Sequence, residues 1–138
     1  MRLVIYTNIL IASLSSKSKY HWILAKFNTN SYELCITNEI LFEYEEKLKD
    51  KYGVVITQAF LEFIINHPNI NFIEVHYKWN LIYQDQSDNK FVDCYIASAS
   101  DYLITEDHHF DNLKNIKFPI VQLLKIDQFK NLIDNINQ

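Results

Sequence analysis

The chain opens on Arg2-Leu3-Val4-Ile5-Tyr6, a continuous run of β-forming residues suited to a strand buried on both faces. Thr7 or Asn8 then caps a helix. Trp22, Ile23 and Phe27 recur at helical spacing within 20–27, and Asn28-Thr29-Asn30 closes that segment with turn formers. Residues 32–36 alternate as a second strand. Thr37 or Asn38 caps a longer helix reaching about Tyr52, on which Leu41, Tyr44 and Leu48 form the apolar stripe. Gly53, the single glycine, ends it, and Ile56 to Asn66 reads as a separate helix with Phe60 and Ile64 inward. His67-Pro68-Asn69 turns the chain into a strand over 71–75.

The polar loop Asp85-Gln86-Ser87-Asp88 follows, with Asp88 as the simplest N-cap of a helix that carries Val92, Tyr95, Ile96 and Ala99 on one stripe. Small residues Ala97, Ser98 and Ser100 let that helix approach a sheet closely. A strand over 101–105, a short helix through Phe110 to Leu113, a strand over 120–123 and an amphipathic helix over 127–136 complete the pattern. Strands that alternate with helices pair in parallel through right-handed crossovers. The expected fold is therefore α/β, a three-layer α/β/α sandwich around a mostly parallel sheet. Ligands of such sheets sit beyond the carboxyl ends of the strands, and this reading brings Tyr6 and Asp107 to that rim.

Composition narrows the picture. At 138 residues and 49% hydrophobic, the chain is sized for one domain spanning 1–138 with a single core. A formal charge of −4 argues against broad electrostatic attachment to nucleic acid, which rests on many Lys and Arg contacts to phosphate. Lys17, Lys19, His21 and Lys26 form the one basic cluster near the N-terminal motif, and a solvated helix face accounts for it. Cys35 and Cys94 lie far apart without a C-x-x-C pair, so neither a zinc knuckle nor a disulfide framework is indicated. A reducing cytoplasm fits. No apolar run approaches the ~18 residues of a membrane span, so no membrane association is expected.

The acids carry the candidate chemistry, and each has an ordinary alternative. Glu39, Glu43, Glu46 and Asp50 make an acidic stripe opposite the apolar one, which a solvated face with a Glu43 to Lys47 ion pair explains. Asp93 falls one turn into its helix, on the same face as Asn89, where the helix dipole alone favours it. Asp107 follows a strand and suits the cap of the next helix; Thr7 and Asn8 share that explanation. His108-His109 reads as surface polarity, although Asp107-His108-His109 imitates the signature of a larger phosphoesterase family whose upstream acids are absent here.

Taken together, Val4-Ile5-Tyr6-Thr7-Asn8, Glu39-Ile40-Leu41-Phe42-Glu43-Tyr44, Asp88-Asn89-Lys90-Phe91-Val92-Asp93 and Leu103-Ile104-Thr105-Glu106-Asp107 fall in the order of a PIN-domain ribonuclease. The chain resembles that family over most of its length, and particularly its VapC-like branch of toxins from bacterial toxin-antitoxin pairs. The resemblance implies hydrolysis of single-stranded RNA with Mg²⁺ or Mn²⁺. Glu43, Asp93 and Asp107 are then the metal-binding acids, Asp88 an auxiliary acid, and Thr7, Asn8 and Thr105 supports of the site. It further implies an antitoxin protein as partner and self-association into a homodimer.

One position departs. Where the family's first acid is expected, this sequence has Tyr6. A phenol with an ordinary pKa near ~10 brings no charge at neutral pH. Loss of a group that merely orients a ligand typically costs about 10–100-fold in metal affinity or activity, so loss of a ligand should cost at least that. Two functions follow: a ribonuclease weakened by Tyr6, and a catalytically dead PIN-fold binding module that keeps its partner surface.

Overall fold

In the computed structural model, which describes residues 1–136, the opening run forms β1 (Arg2–Ile5), the middle strand of a five-stranded sheet. Its neighbours are β2 (Glu33–Ile36) and β4 (Tyr102–Ile104), with β3 (Ile70–Phe72) beyond β2 and β5 (Leu123–Leu124) beyond β4. Every pairing is parallel, with Leu3 opposite both Leu34 and Tyr102. Leu3, Val4 and Ile5 are fully inaccessible to solvent, as a strand without a polar face must be when helices cover both sides.

The order β3-β2-β1-β4-β5 reverses direction between β1 and β4. Right-handed crossovers therefore place α1 (Thr7–Ala12), α2 (His21–Asn28) and α3 (Asn38–Ile65) against one face and α4 (Asn89–Ala97) against the other. Where the two sets of connections part, a crevice opens at the carboxyl ends of β1 and β4. α5 (Ile126–Ile136) closes the chain with Phe129 and Ile133 buried. Phe129 lies 5.1 Å from Trp22 and 5.5 Å from Tyr32.

Several expected elements shift. One expectation holds: Gly53, whose φ of +83° is a conformation glycine tolerates best, breaks α3 into two helices, as its sequence predicts. Thr37 caps α3 by accepting from the Ile40 amide at 3.2 Å. α4 ends at Ala97, so Ala99 does not continue its apolar stripe; Ala99 is exposed and adopts φ +52° in the turn to β4. The third strand covers Ile70–Phe72 rather than 71–75, and the fifth Leu123–Leu124 rather than 120–123. Both edges are short because each pairs with a neighbour only three or four residues long. The turn after β4 is a 3-10 helix over His108–Asn115, with Phe110 and Leu113 buried.

Between β3 and α4 the chain runs through residues 73–85 without regular structure, and α4 holds this strap. The Asn89 side chain accepts from the Ile82 amide at 2.8 Å and donates to the Ile82 carbonyl at 3.0 Å. One turn later the Asp93 carboxylate accepts from the Trp79 amide at 3.0 Å.

Candidate active site

The end of β1 sets the geometry. The Tyr6 amide still donates to the Ile104 carbonyl at 3.0 Å, so its side chain emerges at the crevice between β1 and β4. The ring packs 5.0 Å from Phe91 of α4 and 5.4 Å from Phe110 of the 3-10 turn. Its hydroxyl donates to Asp88 Oδ1 at 3.1 Å. Burial, followed by the negative charges of Asp88, Asp107 and Glu43, holds the phenol far above its ordinary range. Tyr6 is accordingly a neutral hydrogen-bond donor standing among three acids.

Each acid has a local anchor. Glu43 leaves the solvated stripe: Glu39, Glu46 and Asp50 are exposed, whereas Glu43 is mostly covered. Its partner is not Lys47. Lys90 Nζ on α4 lies 2.8 Å from Glu43 Oε1, and the Thr7 hydroxyl donates to Glu43 Oε2. Along α3 the i to i+4 pair is instead Glu45 with Lys49. Asp107 caps the 3-10 turn, its Oδ1 accepting from the His109 amide at 2.8 Å, and its own amide donates to Thr105 Oγ1 at 3.1 Å. Thr7 and Thr105 are both buried. Asn8 is exposed, on the wall of an open cavity of about 390 Å³ that it shares with Tyr6, Asp107, His108 and His109.

Asp88 holds the N-cap position of α4 without capping it, since its side chain turns to Tyr6. Only 2% exposed, it has Oδ2 buried without a hydrogen-bond donor. Burial, the dominant cause, raises its pKa above the usual carboxylate range, and the Tyr6 hydroxyl partly offsets this. Asp93 stands apart. Its pKa is likewise raised by burial, but the groups acting on it are the Trp79 amide, Lys78 and Glu39. It faces a cleft of about 550 Å³ beside the strap, together with Glu39, Asn89 and Lys90. Tyr6, Glu43, Asp88 and Asp107 are thus brought together, and Asp93 lines the cleft beside the strap.

His109 is more than the surface polarity its sequence suggests. Its Nδ1 lies 3.5 Å from Asp88 Oδ2 and 3.4 Å from Asp107 Oδ1. The signal that would have found it is the run Asp107-His108-His109 directly after a strand. The basic cluster makes no comparable site: His21 Nδ1 contacts the Ser13 carbonyl at 3.0 Å, and Lys19 lies over the Tyr20 ring. Cys35 and Cys94 are free and buried. Among the described residues no helix is long and apolar enough to cross a membrane.

A comparison with curated protein sequences gives no match. Solved structures do share the fold. A chain of VapBC2 from Rickettsia felis, crystallised bound to a DNA fragment from their promoter, aligns with a TM-score of 0.60 at 17% identity, covering 91% of this chain and 98% of that one. VapC20 of Mycobacterium tuberculosis, a sarcin-ricin loop cleaving toxin, aligns with a TM-score of 0.58 at 11% identity, covering 79% and 92%. A sequence profile described as "PIN domain" matches residues 2–109, a span that contains every element of the crevice from β1 to His109. The chain belongs to the PIN domain family.

Proposed function

We propose that the chain is a PIN-family endoribonuclease, the toxin of a toxin-antitoxin pair, that hydrolyses single-stranded RNA with Mg²⁺ or Mn²⁺ and whose activity Tyr6 holds low. The observation that carries this reading is the convergence of Glu43, Asp88 and Asp107 on the Tyr6 phenol, at the sheet edge where open α/β folds bind ligands. Family membership supports the hydrolase class. The likeness to VapC20, described as a sarcin-ricin loop cleaving toxin, supports RNA as substrate, and the likeness to the VapBC2 complex supports an antitoxin partner.

The residues present fit a divalent cation, because Asp88 Oδ2 is a buried carboxylate oxygen with no donor. Glu43, Asp88 and Asp107 are the acids that would hold it. Such an ion supplies electrostatic stabilisation of the phosphoryl oxygens as charge builds on them. The chain's own groups do the rest. Thr7 and Lys90 fix the two oxygens of Glu43, and Thr105 fixes the backbone of Asp107. Asp93, a metal-binding acid by family resemblance, has its Oδ1 engaged by the Trp79 amide. The reading places the protein in the cytoplasm with its RNA and its antitoxin, and includes a homodimer.

A second reading has its own support. The acids are already served by Tyr6 and Lys90, as suits a PIN-fold module that binds its antitoxin or a second copy without catalysis. RNA cleavage by the native chain and by Tyr6→Asp, with and without Mn²⁺, separates the two. The ribonuclease reading requires Mn²⁺-dependent cleavage that rises sharply in the variant. If neither protein cuts RNA or binds Mn²⁺ while partner binding stays tight, the binding module is correct.

A further inference from the structure

Two buried polar atoms at the crevice lack partners among the described residues, and they face one another. Asp88 Oδ2 and His109 Nδ1 lie 3.5 Å apart, a contact too long and misaligned to be a good hydrogen bond. Leaving a buried donor or acceptor unmade costs about 1–3 kcal/mol, and more for a charged group. A cation held by both atoms answers that cost, as an alternative to a direct ion pair between them. Asp85 supplies a third group: one ligand atom from each of Asp85, Asp88 and His109 lies within 4.8 Å of the other two. Both hydrogen bonds from Ser87 to Asp85 go to Oδ1, at 2.5 and 3.0 Å, and pin that carboxylate in place.

The spacing suits a cation. Zinc holds nitrogen and carboxylate donors at about 2.0–2.2 Å, and in a tetrahedral site such donors stand roughly 3.4 Å from one another. The observed separation of Asp88 Oδ2 and His109 Nδ1 is 3.5 Å. His109 Nδ1 is also 3.4 Å from Asp107 Oδ1, so Asp107 is within reach as a further oxygen donor. We propose that Asp85, Asp88 and His109 form a binding site for a borderline divalent cation of the zinc, nickel and cobalt class.

The donor set decides the class of ion. Imidazole with two carboxylates favours Zn²⁺, Ni²⁺ and Co²⁺, whereas Mg²⁺ prefers an all-oxygen octahedron and keeps most of its waters. Tyr6 belongs to the design. By donating to Asp88 Oδ1 it leaves Oδ2 for the ion and fixes the carboxylate plane, as groups behind metal ligands commonly do. Glu43 is not among the donors, since the Lys90 ammonium already pairs with it. The open cavity lined by Asn8, Asp107, His108 and His109 gives the ion a way in. The site shares Asp88 with the acids proposed above to hold Mg²⁺ or Mn²⁺, so an ion here takes that carboxylate from them, and its binding does not depend on RNA cleavage.

The test is a titration of the full chain with Co²⁺, read by visible absorption and then displaced by Zn²⁺, together with calorimetry for Zn²⁺ and Mg²⁺. Expected is one Zn²⁺ per chain, Co²⁺ displaced by Zn²⁺, and no displacement by Mg²⁺ at the same concentration. His109→Gln and Asp85→Asn should each weaken Zn²⁺ by at least about 10–100-fold. Both positions are partly exposed, so these variants should fold; circular dichroism checks it. Zinc affinity unchanged in both variants overturns the site and moves any ion to a surface histidine such as His76. Absence of Zn²⁺ binding, equal competition by Mg²⁺, or a His109→Gln effect on melting alone overturns it too, the last because it marks an imidazolium clamped between Asp88 and Asp107. RNA is absent from these measurements, so their failure is distinct from failure of the ribonuclease reading.

Discussion

Tyr6→Asp should make the metal-free protein less stable and make its stability depend on a divalent cation. The substitution removes a ring packed 5.0 Å from Phe91 and 5.4 Å from Phe110. Truncating a large buried aromatic side chain costs about 3–5 kcal/mol; Tyr6 is partly exposed and the new side chain fills some of the space, which reduces this to about 2 kcal/mol. The new carboxylate also joins Glu43, Asp88 and Asp107, whose charges already act on this position. A like charge roughly 5 Å away costs about 3 kcal/mol at an effective dielectric near 20. Lys90 beside Glu43 and salt screening bring that to about 1 kcal/mol. The sum, about 3 kcal/mol, lowers the melting temperature of a domain this size by roughly 10 °C. An ion that binds only the folded state returns about 2.7 kcal/mol at a hundred times its dissociation constant. Calorimetric melting of both proteins at pH 7, in chelator and in a Mn²⁺ series, should show a large Mn²⁺ response in the variant and a small one in the native chain. A variant that melts within about 2 °C of the native protein in chelator and ignores Mn²⁺ would refute the placement of the acids around position 6.

Other parts of the structure are open to the same treatment. Tyr44 is fully buried and donates to the Ile5 carbonyl at 2.5 Å, so Tyr44→Phe should cost about 1–3 kcal/mol in urea unfolding with an unchanged m-value. Cys35 and Cys94 are inaccessible, and burial pushes the Cys94 thiol well up, so a thiol reagent should label neither until the protein unfolds; a fast native phase contradicts the core assignment. Asp93 has its pKa raised in the folded state, so between the unfolded value near ~3.9 and the raised one the native protein holds the extra proton, and stability falls as pH climbs through that window. Urea midpoints of Asp93→Asn should lose that portion of the decline, and identical pH profiles for the two proteins would contradict the raised value.

The strands and helices near the centre of the sheet were legible because one cause, burial on both faces, sets their sequence. Arg2–Ile5 reads as a strand for the same reason that Leu3, Val4 and Ile5 are inaccessible. The edges were not, because strand length there depends on a partner that no local pattern encodes. Residues 73–75 continue an alternating pattern, yet β2 ends at Ile36, opposite Phe72, and offers nothing further to pair. Ile120, expected in the last strand, is largely exposed. The site shows a related split. The order of the acids along the chain predicts Glu43, Asp93 and Asp107 at one rim, whereas Asp88 takes the place of Asp93 beside Tyr6, because order does not fix direction around a helix. Asp88 and Asp93 are five residues apart, about 140° around an α-helix, so both cannot face the crevice. Asn89 and Asp93, at i and i+4, do share a face, and that face grips the strap at Ile82 and Trp79.

Tyr6 therefore does more at this position than stand without a charge. A cluster of four acids at a sheet edge repels itself and leans on a cation for its stability, whereas this crevice holds much of its charge in check from within. Glu43 has Lys90 and the Thr7 hydroxyl, Asp88 has the phenol, and Asp107 has the amide at the start of the following turn. Such a site folds without an ion, which frees the domain from metal supply. It also raises the barrier to loading a hard cation at Glu43, because Lys90 must first be displaced from a pair at 2.8 Å. What the arrangement leaves unserved is Asp88 Oδ2 and His109 Nδ1. The demand for a cation thus falls on Asp88 and His109, where an imidazole changes which ion answers it.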